Sequence, residues 1–132
     1  MKAYTIGLYE KAMPNTLTWK EKLEAAKEAG YDFVEISIDE TDEKLSRLEW
    51  TKEERLELVK TMYEVGLPIR SMCLSGHRKY PIGSSDPATC ARGMEIMEKA
   101  IQLADDLGVR IIQLAGYDVY YDESTPETVA RR

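Results

Sequence analysis

The run Ser75-Gly76-His77-Arg78-Lys79 sets a hydroxyl, an imidazole and two cations side by side, directly after the apolar segment Ile69–Leu74. His77 is the only histidine of the chain. An apolar strand that ends in a polar, cationic loop is how α/β sheets present groups to a ligand, at the carboxyl ends of their strands. Arg78 can hold an anionic oxygen pair through two parallel hydrogen bonds, and His77 can reach hydroxyls. The competing reading makes both ordinary loop residues, partners of the acidic stretch 39–43. Lys79 is a weaker candidate, because adjacent loop residues point in different directions.

A second group is carboxylate and amide. Glu10 leaves the first apolar segment, and Glu35 lies inside the second. A carboxylate in a buried strand is costly unless it is paired. Each is expected either to contact a ligand or, for Glu35, to pair with a Lys or Arg. Gln113 interrupts the apolar run 109–115 and is a plausible hydroxyl ligand. Tyr117, with Tyr120 and Tyr121 behind it, either walls a pocket or packs on the following helix. The acids of 39–43 lack the spacing and glycine of an EF-hand. They read as a solvated loop drawing on basic neighbours, anchored by Trp50.

The elements that must position these groups recur as a unit. Residues 3–9, 32–38, 68–74 and 109–115 read as strands, short and rich in β-branched and apolar side chains. Thr18-Trp19-Lys20-Glu21 and Thr51-Lys52-Glu53-Glu54 are capping boxes, and Asp86-Pro87 opens a third helix. Helix faces are expected at Leu23, Ala26 and Ala29, at Leu56, Val59 and Tyr63, and at Met94, Met97, Ile101, Ala104 and Leu107. The Met-rich stripe reads as core. Gly30, Gly66 and Gly108 close the helices. Every connection is long enough for a helical crossover, so the strands are expected to be parallel. Two architectures fit: an open doubly wound sheet, or the first half of a (β/α)8 barrel.

The chain has 132 residues, which suits one α/β domain over residues 1–132. Ser124-Thr125-Pro126-Glu127 caps a fourth helix that has barely begun at Arg132. That favours the barrel and an N-terminal part of something longer. A net charge of −6 argues against nucleic acid as partner. No basic leader and no membrane-length apolar stretch is present, so a cytoplasmic protein is expected. Two cysteines, Cys73 and Cys90, without a CxxC, read as reduced thiols.

The strings GLYEKAMP, YDFVEISIDETDEKLSRLEW, SMCLSGHRKYPIG and IIQLAGYDVYY together resemble the L-xylulose-5-phosphate 3-epimerases of L-ascorbate breakdown, also labelled hexulose-6-phosphate isomerases, within the xylose-isomerase-like TIM barrels. The resemblance runs from Ile6 to Tyr121. It implies four parallel strands as the first half of a barrel. It also implies proton transfer at C3 of a ketopentose phosphate, assisted by a divalent metal (manganese, zinc or magnesium). The family's Glu, Asp, His and Glu ligands, two of which are its acid and base, match no position here. They are expected after Arg132, so no catalytic or metal residue is assigned and no metal is expected on this chain. Substrate contacts are expected from His77, Arg78, Glu10, Glu35, Gln113 and Tyr117. Three alternatives remain: a hexulose-phosphate or other sugar isomerase, a metal-dependent endonuclease of the same fold, or a non-catalytic half-barrel. Bare half-barrel edges are expected to drive self-association.

Overall fold

The computed structural model describes residues 3–116, 118–121 and 123–130. The strands are β1 (Gly7–Tyr9), β2 (Phe33–Ile38), β3 (Ile69–Leu74) and β4 (Ile111–Leu114), and the helices are α1 (Trp19–Glu28), α2 (Asp42–Leu45), α3 (Lys52–Val65), α4 (Pro87–Leu107) and α5 (Pro126–Ala130). Short 3-10 turns at Glu10–Ala12, Ser46–Glu49 and Gly76–Arg78 follow β1, α2 and β3. The four strands are parallel and stand in chain order, β1-β2-β3-β4. That order separates the two architectures left open by the sequence. A doubly wound sheet reverses direction at a switch point, whereas sequential right-handed crossovers put every helix on one face, as in a barrel. The observed α/β sheet has the topology of half a TIM barrel.

Both capping boxes form. Thr18 accepts from the Glu21 amide and Glu21 returns to the Thr18 amide, and Thr51 and Glu54 repeat the arrangement. Each box satisfies two otherwise orphaned donors at a helix start. At the other ends Gly66 and Gly108 adopt left-handed φ of 72° and 71°, which a side chain would resist. The core lies between sheet and helices. Val34, Ile36, Ile38, Met72 and Leu74 from the strands meet Leu23, Ala26, Leu58, Ile96, Ala100 and Leu103 from the helices.

Two helix faces differ from expectation. In α3 Leu56 and Tyr63 are exposed, and the buried side is Arg55, Leu58, Met62 and Val65. In α4 Met94 and Ile101 are exposed, while Gly93, Ile96, Ala100, Leu103, Ala104 and Leu107 are buried. Both helices carry apolar residues around more than one side, so periodicity alone did not fix which side faces inward. The strands are also shorter than expected at their ends. Both cysteines are free.

Candidate functional site

Side chains alternate across a strand. In β2 the even positions Val34, Ile36 and Ile38 enter the core, so Phe33, Glu35 and Ser37 face the side that no helix covers. Register aligns them with their neighbours: Tyr9 pairs with Glu35 and Glu35 with Ser71, while Ser37 pairs with Cys73 and Cys73 with Gln113. The uncovered face therefore carries a polar patch of six residues on four strands. Two bonds tie it together. Ser71 Oγ donates to Glu35 Oε2 at 2.6 Å, and the Tyr9 hydroxyl and Ser37 Oγ lie 2.9 Å apart. Burial pushes the Tyr9 phenol up to about 12, so Tyr9 keeps its proton at neutral pH. Glu35 thus takes Ser71 as its partner, and Gln113 is exposed on β4.

Glu10 has a different occupation from the one expected. It is fully buried. Its Oε1 accepts from Lys44 Nζ at 2.9 Å, Arg47 Nη2 at 2.9 Å and Lys22 Nζ at 3.4 Å. Its Oε2 accepts from Arg47 Nη1 at 2.5 Å and from the Ser37 amide at 2.7 Å. Burial alone would push the carboxyl up. The Arg47 guanidinium, the Ser37 amide and Lys44 outweigh it and hold the group down at about 2. The indoles of Trp19 and Trp50 flank the Arg47 guanidinium at 5.1 and 5.7 Å. A carboxylate so enclosed is a fixed part of the scaffold, with both oxygens already engaged by the chain. In the stretch after β2, Thr41, Asp42 and Glu43 are exposed, as a solvated loop requires, while Asp39 is buried against Lys11; α2 and a 3-10 turn then carry the buried Lys44 and Arg47 to Glu10.

His77 is also largely enclosed. Its Nε2 is 2.9 Å from the Gly93 carbonyl oxygen, which ties the turn after β3 to α4. Gly93 is required there, because a Cβ would come within 2.5 Å of the Tyr80 carbonyl oxygen. Arg78 stays at the rim. Its Nη1 lies 3.9 Å from Glu40 Oε2, and its guanidinium stacks 5.3 Å from the Tyr120 ring. Tyr121 donates its hydroxyl to Glu40 Oε1 at 2.8 Å. The loop after β4 is thereby fastened over the ends of β2 and β3. Tyr117 lies outside the described residues.

Two cavities differ sharply in place. One of about 290 Å³ opens at the rim between Lys11, Asn15, Asp39, Thr41, Glu43 and Lys44. The other, about 690 Å³, lies at the amino-terminal end of β3 and β4, among Met62, Leu67, Pro68, Leu107 and Ile111. The larger is mostly apolar, with Arg70, Asp105, Asp106 and Arg110 also in its lining, and opens at the amino-terminal ends of the strands, so the smaller sits where a sheet of this kind places its chemistry. Among the described residues no three of His, Cys, Asp and Glu come together as a metal ion requires. Among the described residues, then, no donor set fits the divalent metal that the resemblance implies. Among the same residues no helix is long and apolar enough to cross a membrane.

The family model for the xylose isomerase-like TIM barrel matches residues 23–132. The chain belongs to the xylose isomerase-like TIM barrel family. Within that family it is 57% identical, over 130 residues, to the L-ribulose-5-phosphate 3-epimerase UlaE of Escherichia coli, covering 98% of this chain and 46% of the relative. The chain thus spans about half the length of the curated relatives it matches. A solved D-psicose 3-epimerase superposes with a TM-score of 0.74 at 18% identity, over 97% of this chain and 44% of that one. A solved L-ribulose 3-epimerase gives 0.64 at 26% identity, over 96% and 41%. The first of these likenesses concerns the barrel fold alone.

Of the residues singled out in this family member, the structure brings Glu35 and Gln113 onto one face and keeps Arg78 at its rim. Tyr9, Ser37, Ser71 and Cys73 were not foreseen there. The alternation Phe-Val-Glu-Ile-Ser-Ile in β2 carried the signal, since its polar members fall on every second position.

Proposed function

We propose that this chain forms the substrate-shaping half of a sugar-phosphate isomerase that interconverts L-xylulose 5-phosphate and L-ribulose 5-phosphate at C3. The observation that carries the reading is the 57% identity to a 3-epimerase across nearly the whole chain. The polar face supports it. Glu35, Ser71 and Gln113 can exchange hydrogen bonds with sugar hydroxyls, and Arg78 at the rim can meet the phosphate. His77 and Glu10 hold the rim in place, and Tyr117 is proposed as a further substrate contact. Proton removal and return require an acid and a base on opposite faces of the carbon. Those carboxylates, and the ligands of a divalent metal, belong to the other half of the barrel. A place in L-ascorbate breakdown rests on the family resemblance.

The test is an epimerisation assay on L-ribulose 5-phosphate, followed by NMR. The chain is assayed alone and after mixing with the carboxyl-terminal half of the Escherichia coli relative. Turnover in the mixture but not with either part alone is expected. Conversion of a hexulose phosphate with none of the pentulose would move the reading to the alternative isomerase. Turnover by the chain alone would overturn the placement of acid and base.

A second reading is favoured by β4. Its Ile111 and Leu114 are 61% and 51% exposed, and β1 and β4 are both edges. An uncovered parallel edge invites pairing. The half-barrel is thus proposed to self-associate when it stands alone. Sedimentation reads this directly, and a monodisperse monomer would count against it.

A further inference from the structure

We infer that Glu10 and Arg47 are positioning residues that continue the β1 ladder with side chains and act through Ser37 on the Tyr9 hydroxyl. The main-chain N–H and C=O of one residue in a parallel strand point to the same side. For Ser37 that side is where β1 would continue, but β1 stops at Tyr9, opposite Glu35, and turns into the Glu10–Ala12 3-10 turn. The Ser37 amide and carbonyl would therefore face an absent strand. The Glu10 carboxylate takes the amide at 2.7 Å, and Arg47 Nη1 donates to the carbonyl at 3.0 Å. The two side chains are paired twice with each other. Acceptor and donor thus stand in the order in which two further peptides of β1 would supply them. Buried backbone groups seldom go unpaired, so the pair satisfies a requirement of the strand itself.

The consequence lies on the opposite side of the peptide. With both of its backbone groups held, Ser37 presents its Oγ at one place on the uncovered face, and the Tyr9 hydroxyl binds there at 2.9 Å. The charged and titratable groups around that hydroxyl are Cys73 from β3 and Asp39 at the end of β2, itself paired with Lys11. Glu35 is the register neighbour of Tyr9. The clamp on β2 thereby sets where a hydroxyl sits in the face that the proposed function gives to substrate. Only that last step rests on the proposed function. The coupling is a property of the chain without any ligand.

The experiment uses the whole 132-residue chain labelled with ring-carbon-13 tyrosine, and Tyr9→Phe identifies the Tyr9 signal. Tyr9 ionisation and Ser37 amide exchange are read in the unmodified chain, Glu10→Gln, Arg47→Lys and Arg55→Lys. Arg55 is another buried arginine, held by Trp50, Leu48 and Asp106 away from Ser37. Expected is an ionisation midpoint that moves further above the ordinary phenol value in Glu10→Gln and Arg47→Lys, as the Ser37 bond that lowers it is lost, with Ser37 exchange at least about tenfold faster, and neither change in Arg55→Lys. If Glu10→Gln fails to fold, Arg47→Lys together with Ser37→Ala carries the test. Ser37→Ala should raise the Tyr9 midpoint with the clamp intact, because the Ser37 bond holds the phenol down against burial. An unchanged Tyr9 midpoint in folded Arg47→Lys, or an equal shift in Arg55→Lys, would overturn the inference. Loss of epimerase activity in the complementation assay, with the Tyr9 coupling intact, would strike the proposed function and not this one.

Discussion

The ring of Phe33 lies where a side chain on Gly7 would have to go. The two residues are register partners on β1 and β2, and a Cβ at Gly7 would overlap Phe33 Cε2 and Cζ. Gly7→Ala is expected to cost about 1–3 kcal/mol, the usual range for overpacking. Urea denaturation measures it. Phe33→Leu in the same chain should recover part of the loss, so the double variant ought to be more stable than Gly7→Ala alone. A neutral Gly7→Ala would mean that the ring does not lie over β1.

Acid should unfold this chain through Glu10. Its carboxyl sits at about 2 in the folded state against 4.5 in a free side chain. A group whose folded value is depressed contributes stability above the unfolded value and loses it as pH falls toward the folded one. The contribution is roughly 3 kcal/mol and is lost between about pH 4.5 and pH 2. Urea midpoints at stepped pH should fall across that window in the unmodified chain and show much less slope in Glu10→Gln. Equal slopes would remove Glu10 from the account.

Arg55 fastens three elements at once. It donates to the carbonyls of Leu48 and Trp50 and to Asp106 on α4. Arg55→Ala leaves two carbonyls without their donor and is expected to cost about 3 kcal/mol. Asp106→Ala should cost less, about 1 kcal/mol, because that carboxylate is partly exposed and screened. Denaturant midpoints of the two variants give the ordering, and a larger loss from Asp106→Ala would contradict it.

His77 supports the rim from within. Removing its bond to the Gly93 carbonyl in His77→Ala is expected to cost about 1 kcal/mol in a thermal melt. If the proposed function holds, L-ribulose 5-phosphate raises the melting temperature of His77→Ala by as much as that of the unmodified chain. A smaller rise would show the imidazole touching the ligand after all.

The element order was legible because its signals are local. Each capping box and closing glycine satisfies backbone groups within a few residues, whatever the rest of the molecule does. The half-barrel followed from those units and from the family resemblance. Facing was harder. Arg55 and Lys44 look solvent-directed in sequence, and only their distant partners Asp106 and Glu10 make their burial affordable. The enclosure of Glu10 was hidden for the same reason: a carboxylate just after a strand reads as a ligand group, and Arg47, 37 positions on, is what closes on it. Glu35 and Gln113 were found because each interrupts an apolar run. Ser37 and Cys73 interrupt theirs less visibly, being small enough to pass as core.

The separation of the two cavities has a practical side. Fragments and detergents partition into apolar hollows first, so a binding screen on this chain would enrich for occupants of the hollow beside Met62 and Pro68. Hits ranked by affinity alone would then bear no relation to sugar chemistry. Competition with a sugar phosphate, or perturbation of the Tyr9 signal, is the filter that selects compounds for the polar end.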